Sequence, residues 1–157
     1  MRCVIQRVRS ASVRVGDDLI SAIGPGMLVL AGVERGDSEE SMRAAAKKIR
    51  ELRIFSDEEG KMNRDVSEAG GTILAVSQFT LSGSIEKGRR PSFDRAEEPE
   101  RARVLFELFA AELAASGVEV KTGRFRAMMI VALENDGPVT FILESQKAEG
   151  RSRQEPQ

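Results

Sequence analysis

The pattern of hydrophobic and polar positions predicts that the chain begins with strands. Partial alternation of apolar and polar residues predicts strands over residues 3–8 and 11–15, and an extended segment over 19–23. Two continuous apolar runs, residues 27–33 and 72–76, indicate strands that are buried on both faces. The pattern therefore favours a core made mostly of β-sheet.

Two segments have helical rather than alternating periodicity. In the first, Asp37 or Ser38 can cap a helix whose apolar residues recur at helical spacing on one face: Met42, Ala45, Ala46, Ile49 and Leu52. In the second, Glu97-Glu98-Pro99-Glu100 is typical of a helix start, with proline in the first turn. We interpret both apolar faces as core and the intervening charges as solvated exterior.

The C-terminal part of the chain returns to strand patterns. Strands are predicted over residues 118–122, 127–133 and 139–143, and Asn135-Asp136-Gly137-Pro138 between the last two indicates a hairpin turn. From residue 146 to 157 the sequence is polar, and we expect a disordered tail. The prediction is one α+β domain over residues 1–145, with a mostly β, barrel-like core and two main helices.

Composition removes several kinds of chemistry. The chain has 157 residues, a net charge of −1, one cysteine and no histidine. Histidine-activated nucleophiles and histidine-containing metal sites are therefore excluded, and one cysteine cannot form an internal disulfide. We expect no cofactor and no metal. No signal peptide or membrane-length apolar run is present, so we expect a cytoplasmic protein.

Ser77-Gln78-Phe79-Thr80-Leu81 is the stretch with the clearest chemical potential. It follows the apolar run 72–76 and precedes the basic segment Lys87-Gly88-Arg89-Arg90-Pro91. Polar groups at the end of a rigid strand can hold a reactive site, and a basic loop can attract phosphate. The alternative interpretation is a strand cap followed by a solvated loop. These residues alone do not distinguish the two.

Seven landmarks in their order resemble the D-aminoacyl-tRNA deacylase family, and the resemblance extends from Met1 to about Ser145. They are Ile23-Gly24-Pro25-Gly26, Lys48-Ile49-Arg50-Glu51-Leu52-Arg53-Ile54-Phe55, Gly60-Lys61-Met62-Asn63, Ser77-Gln78-Phe79-Thr80-Leu81, Lys87-Gly88-Arg89-Arg90-Pro91-Ser92-Phe93, Thr122-Gly123-Arg124-Phe125 and Asn135-Asp136-Gly137-Pro138-Val139-Thr140. Each landmark alone is weak, but the ordered set is specific.

The resemblance implies a homodimeric enzyme of chiral proofreading in translation. Its partner and substrate would be aminoacyl-tRNA, and it would hydrolyse the ester between a D-amino acid and tRNA. Gly137-Pro138 would be a cis dipeptide that enters the partner subunit's pocket, holds the substrate's amino group and blocks an L side chain. Glycine has no side chain to reject, so glycyl-tRNA mischarged on tRNA-Ala would also be a substrate.

The resemblance also implies roles for particular residues. Ser77, Gln78, Phe79 and Thr80 would form the catalytic wall, with the N–H groups of Phe79 and Thr80 binding the developing oxyanion. Thr80 could be a nucleophile, but no histidine or nearby lysine activates it, so we favour water positioned by the tRNA's terminal 2′-hydroxyl. Further implied roles are pocket walls and phosphate contacts: Phe125 and Met129 for the former, Lys87, Arg89 and Arg90 for the latter.

Two segments depart from the family pattern. Ser82-Gly83-Ser84-Ile85-Glu86 stands where relatives tend to carry an aromatic and more polar or basic residues, and Arg126 stands where a small residue is usual. Two further interpretations remain: a non-catalytic RNA-binding β module that uses the basic loop, or an interaction dimer in which Gly137-Pro138 only completes an interface.

Overall fold

The computed structural model describes residues 1–145, and within that range the chain forms eight strands, two α-helices and one 3₁₀ turn. These are β1 (Arg2–Val15), β2 (Asp18–Ile23), β3 (Gly26–Gly32), α1 (Glu39–Arg50), β4 (Phe55–Ser56), β5 (Met62–Arg64), β6 (Thr72–Ser77), the 3₁₀ turn (Phe79–Ser82), α2 (Pro99–Ala114), β7 (Val120–Thr122) and β8 (Ile130–Glu144). The predicted tail, residues 146–157, lies outside the described residues.

The main sheet has the order β2-β1-β3-β6-β7, with β8 paired to β1. Side chains connect its outer strands: Ser21 Oγ donates to Thr122 O at 2.8 Å, and Lys121 Nζ donates to Ala22 O at 2.8 Å. These bonds between β2 and β7 nearly close the sheet. The predicted α+β fold with a barrel-like core and two helices is therefore confirmed.

Strand β1 is a single strand, whereas the sequence pattern predicted two. The polar residues Arg9 and Ser10 interrupt the alternation, but the backbone remains paired across them, with Ser10 opposite Glu134 of β8. The first half of β1 also pairs with β3, and the second half with β2. Pairing with β8 thus keeps β1 extended where its side-chain pattern is weak.

The two faces of strand β3 pack against different sets of apolar residues. Met27, Val29 and Ala31 of β3 pack in the same cluster as apolar residues of both helices, among them Met42, Ile49, Leu105 and Phe109. Leu28 of the same strand joins a second cluster with Val13, Leu74 and Val76. The predictions of a strand buried on both faces and of core-facing helices are confirmed. Cys3 is fully buried, and burial raises the pKa of its thiol to about 12.

The two candidate caps before α1, Asp37 and Ser38, have different roles. Ser38 is the N-cap and accepts from the N–H of Ser41. Asp37, the other candidate cap, is 2% exposed and instead accepts from the Met1 ammonium at 2.7 Å. Ser145 Oγ also accepts from that ammonium at 2.7 Å. This buried network fixes the start of β1 beside the end of β8 and the first turn of α1.

The predicted hairpin at Asn135-Asp136-Gly137-Pro138 is wrong. The chain does not turn back there, because both halves of β8 pair antiparallel with β1, from Arg14 opposite Ile130 to Arg2 opposite Glu144. Val8 pairs with Asn135 and Gln6 with Thr140, so Arg7 alone faces the four residues between them. The extra residues form a large bulge in a continuous strand.

Within residues 1–145, neither helix combines the length and the hydrophobicity that a membrane crossing requires.

Candidate functional site

A cavity of about 470 Å³ opens where β3 and β6 end, beside α2 and the segment that leads into β8. Its walls are mostly apolar, and the residues that matter for chemistry are Ser77, Gln78, Phe79, Thr80, Glu97, Phe125, Arg126 and Met129. Six of the predicted site residues therefore meet in one place. We use the name "pocket" for this cavity.

The polar stretch of the pocket is a turn rather than the end of a strand. Strand β6 runs parallel to β3 with Ser77 opposite Ala31, and the N–H of Gln78 donates to Ala31 O at 2.8 Å. The chain then leaves the sheet, and the 3₁₀ turn begins at Phe79. The sequence pattern placed this polar stretch at the end of a strand and did not predict the helical turn, since periodicity cannot detect so short a turn.

Two backbone donors at the start of this turn take no part in its hydrogen bonds. Its first hydrogen bond runs from Leu81 N–H to Gln78 O at 3.2 Å. The N–H groups of Phe79 and Thr80 precede that bond, and neither has an acceptor within residues 1–145. Unpaired donors at the start of a helical turn bind negative charge. The pocket therefore carries a pair of adjacent N–H groups suited to an oxyanion.

Gly32 lets the turn lie close to the end of β3. A Cβ atom at Gly32 would lie 2.9 Å from Gln78 O and 3.2 Å from the Leu81 Cβ. Only a residue without a side chain allows this approach. The position of the donor pair thus depends on a glycine in the neighbouring strand.

The opposite wall of the pocket is apolar. Phe125 packs on Phe106 of α2 with ring centroids 6.3 Å apart. Met129 lies over Gly123, where an added Cβ would come within 2.7 Å of its sulfur. The resemblance gave both residues a role as walls, and the structure places both in the lining.

No lining side chain is poised as a general base. Thr80 is exposed, but the carboxylate of the lining, Glu97, is already occupied: one oxygen accepts from Glu98 N–H at 2.8 Å and the other from Arg101 Nε at 3.2 Å. Activating a threonine hydroxyl needs a free base within hydrogen-bond reach. Within residues 1–145 no group of three or more carboxylate or cysteine side chains is placed to hold a metal ion.

The basic loop lies outside the pocket but is connected to it. Ser84 and Ser92 exchange backbone hydrogen bonds of 2.7 and 2.9 Å, which form the stem of the loop. The next residue, Phe93, contacts the ring of Phe79 edge-on, with centroids 5.2 Å apart. Beyond the stem, Lys87, Arg89 and Arg90 are exposed and form no ion pair with any residue of the described range.

Gly137 and Pro138 also lie outside the pocket of their own chain. Their peptide bond is cis, as the resemblance implied, and they form the tip of the β8 bulge. Arg7 supports the bulge, because its guanidinium donates to Asp136 O at 3.1 Å and to Ile54 O at 2.8 Å. Asn135 spans the bulge by accepting from Val139 N–H at 3.0 Å and donating to Thr140 Oγ1 at 3.0 Å.

Sequence reasoning missed Arg7, Phe93 and the bridging role of Asn135. Arg7 and Asp136 are 129 positions apart, so no local pattern connects them. Phe93 stood in a quoted landmark, yet nothing in the sequence indicates its contact with Phe79. Asn135 was noted only as a turn residue, and its side-chain bonds depend on the bulge that the hairpin prediction excluded.

The pocket has the features of an ester or acyl hydrolase that lacks a side-chain nucleophile system. It offers unpaired N–H donors for an anionic oxygen, apolar walls and no activated hydroxyl. The chain belongs to the family described as D-Tyr-tRNA(Tyr) deacylase, because the model of that family matches residues 4–144.

Individual relatives agree with this assignment. The chain is 53% identical to the D-aminoacyl-tRNA deacylase of Symbiobacterium thermophilum, with 94% of this chain and 97% of the relative covered. It is 56% identical to the D-aminoacyl-tRNA deacylase of a Roseiflexus species, with 92% of this chain and 94% of the relative covered. A solved structure described as c-Myc DNA Unwinding Element Binding Protein has a TM-score of 0.87 and 41% identity, and covers 93% of this chain and 99% of its own.

We expect Gly32→Ala to displace the 3₁₀ turn, because its Cβ would lie 2.9 Å from a backbone oxygen. Overpacking of this kind costs about 1–3 kcal/mol. Urea unfolding should show that loss. Gly24→Ala is the matched control, since a Cβ there meets nothing within 4 Å. Equal stability of the two variants would show that the turn does not need the close approach.

Proposed function

We propose that this protein hydrolyses the ester bond of D-aminoacyl-tRNA and releases the free D-amino acid and tRNA. The observation that carries the proposal is the pair of acceptor-free N–H groups at Phe79 and Thr80, in a pocket without a general base. Relatives at about half identity named D-aminoacyl-tRNA deacylase support the same activity. Because the substrate belongs to translation, the proposed place of action is the cytoplasm.

In the proposed reaction, water attacks the ester carbonyl and the N–H groups of Phe79 and Thr80 bind the oxyanion that forms. Ser77 and Gln78 hold this donor pair at the end of β6. Water is positioned by the 2′-hydroxyl of the terminal ribose, which lies next to the ester in any aminoacyl-tRNA. A direct attack by Thr80 is less well supported, because both oxygens of the lining carboxylate, Glu97, are occupied.

Selection of the D-enantiomer is assigned to Gly137 and Pro138 of a second subunit. Both residues project from the β8 bulge, outside the pocket of their own chain. In a homodimer they could enter the partner's pocket, hold the amino group through main-chain carbonyls and exclude an L side chain with the proline ring. Glycyl-tRNA mischarged on tRNA-Ala would pass this filter.

Exposed apolar side chains support a dimer contact beside the bulge. Ile130 is 67% exposed, Phe141 44% and Ile142 69%, and all three lie on β8. A concentration of large apolar residues on one edge strand is typical of an interface. A second copy that covers these residues would bury them, and the bulge on the same strand would lie near that contact.

The basic loop is the proposed contact for tRNA phosphates. Lys87, Arg89 and Arg90 are exposed and have no ion-pair partner within residues 1–145. Such contacts position the nucleic acid without reading its sequence, and their contribution falls as salt is added. Phe93 connects the loop to the pocket through Phe79.

One assay separates this function from the alternatives. The purified protein is incubated with D-tyrosyl-tRNA and L-tyrosyl-tRNA, and release of tyrosine and retention of tRNA are both measured. Release of the D-amino acid alone supports the proposal. Retention of tRNA without release would identify an RNA-binding module, and neither result would leave an interaction dimer.

We expect Phe79→Pro to lower the rate of D-tyrosine release by about 100-fold to 1,000-fold, because it removes one oxyanion donor. Phe79 opens the 3₁₀ turn, a position where proline is common, and Gln78 before it is extended, with φ −144° and ψ 91°. Phe79→Leu is the control, since it removes the ring and keeps the N–H. Single-turnover rates should separate the two variants. An equal loss in both variants would show that the ring, not the N–H, matters, and no loss in either would remove this donor from the mechanism.

We expect Pro138→Ala to relax chirality, because alanine lacks the ring that is proposed to block an L side chain. Release of tyrosine from L-tyrosyl-tRNA should rise by about tenfold or more, while D-tyrosine release continues. Pro25→Ala, in the exposed connection between β2 and β3, is the control. A folded Pro138→Ala protein that still rejects the L-substrate would remove the proline from the mechanism.

A further inference from the structure

Arg126 has an unfavourable backbone conformation at the edge of the pocket. Its φ is +62°, and among residues 1–145 it is the one non-glycine residue with positive φ. It lies in the turn closed by Ala127 N–H donating to Arg124 O at 3.2 Å. The left-handed region favours glycine or asparagine at such a position. Backbone strain of this kind occurs often at functional sites, so the side chain of Arg126 is a candidate for a functional contact.

The charge of Arg126 is not neutralised within the protein. The lining of the pocket contains two charged residues, Arg126 and Glu97. Glu97 is paired with Arg101 at 3.2 Å, whereas Arg126 is exposed and has no ion pair or side-chain hydrogen bond within residues 1–145. The pocket lining therefore carries one uncompensated positive charge, in the same cavity as the N–H groups of Phe79 and Thr80.

We propose that Arg126 binds the phosphodiester group that joins the aminoacylated terminal nucleotide to the rest of the tRNA. This inference rests on the proposed function, because it assigns a contact to the substrate of that reaction. A guanidinium group matches a phosphate in both charge and geometry, and such charge-assisted bonds are strong. The phosphate is a fixed neighbour of the ester in every aminoacyl-tRNA, so one arginine serves all substrates.

An acidic amino-acid side chain is the other anion that could meet Arg126. Chiral selection by main-chain contacts would accept D-residues whatever their side chain, and a cation reserved for acidic side chains would not serve most of them. The phosphate is therefore the better match. The two sources of negative charge are separated by the experiment below.

The test compares Arg126→Asn with the wild-type protein on two substrates, D-tyrosyl-tRNA and 3′-O-D-tyrosyl-adenosine, which has no phosphate. Asparagine tolerates positive φ, so this change removes the charge without adding strain. We expect the ratio of kcat/KM for tRNA to kcat/KM for the nucleoside ester to fall about tenfold. The slope of log kcat/KM against log salt should become shallower by about 0.7, as for one lost phosphate contact on a single strand.

Two further variants complete the design. Arg126→Lys should restore part of the ratio, because it keeps the charge and loses the bidentate geometry. Arg124→Gln removes an exposed charge from the same turn, outside the pocket lining, and should leave the ratio unchanged. Sedimentation of Arg126→Asn should match that of the wild type, and its melting temperature should not fall.

Several results would overturn the proposal. An equal loss on both substrates would mean that Arg126 acts on the pocket itself. A loss confined to D-aspartyl-tRNA, relative to D-tyrosyl-tRNA, would assign the arginine to an acidic side chain. No loss on tRNA, or a change in oligomeric state, would leave it without a phosphate contact. A wild-type protein that releases D-tyrosine from neither substrate would instead refute the proposed function.

Discussion

The antiparallel pairing of β1 with β8 is the constraint on which the other features depend. It runs from Arg2 to Arg14 along almost the whole of β1 and brings the two ends of the described chain together. Because both halves of β8 are held in register, the surplus residues between Asn135 and Thr140 must leave the ladder as a bulge. Arg7 lies opposite the bulge, and its guanidinium donates to Asp136 O and Ile54 O. The ladder thus fixes where Gly137 and Pro138 project.

The proposed reaction relies on backbone groups where many hydrolases use side chains. Strand β6 ends beside β3, Gly32 admits the 3₁₀ turn, and the turn presents the N–H groups of Phe79 and Thr80. Such donors are fixed before the substrate arrives, so binding a developing charge requires little reorganisation. A chain without histidine can support ester hydrolysis in this way, provided that water is positioned by the substrate. The main-chain carbonyls of Gly137 and Pro138, which are proposed to bind the substrate's amino group, are likewise backbone groups fixed before the substrate arrives.

The predicted part of the structure is the part that local pattern determines. Apolar runs identified β3 and β6, helical spacing identified α1 and α2, and capping residues identified their starts within a residue or two. The stretch 77–80 was identified as a candidate site from its place after an apolar run, whereas its catalytic roles, and Phe125 and Met129, came from family resemblance. The bulge, the Arg7 support and the Phe79–Phe93 contact could not be predicted, because each depends on residues that only the folded sheet brings together. A turn sequence between two apolar strands predicts a hairpin, and only the register of the partner strand shows that it forms a bulge instead.

The central claim is that one subunit supplies the donor pair while the other supplies the chiral filter. A mixed dimer tests it directly, with Phe79→Pro in one protomer and Pro138→Ala in the other. Its one intact donor pair belongs to the protomer with the altered filter, and the intact filter belongs to the other protomer. If the filter acts across the interface, this dimer releases D-tyrosine and rejects L-tyrosyl-tRNA. If the mixed dimer instead hydrolyses L-tyrosyl-tRNA as the Pro138→Ala homodimer does, the filter acts within its own subunit and the account is contradicted.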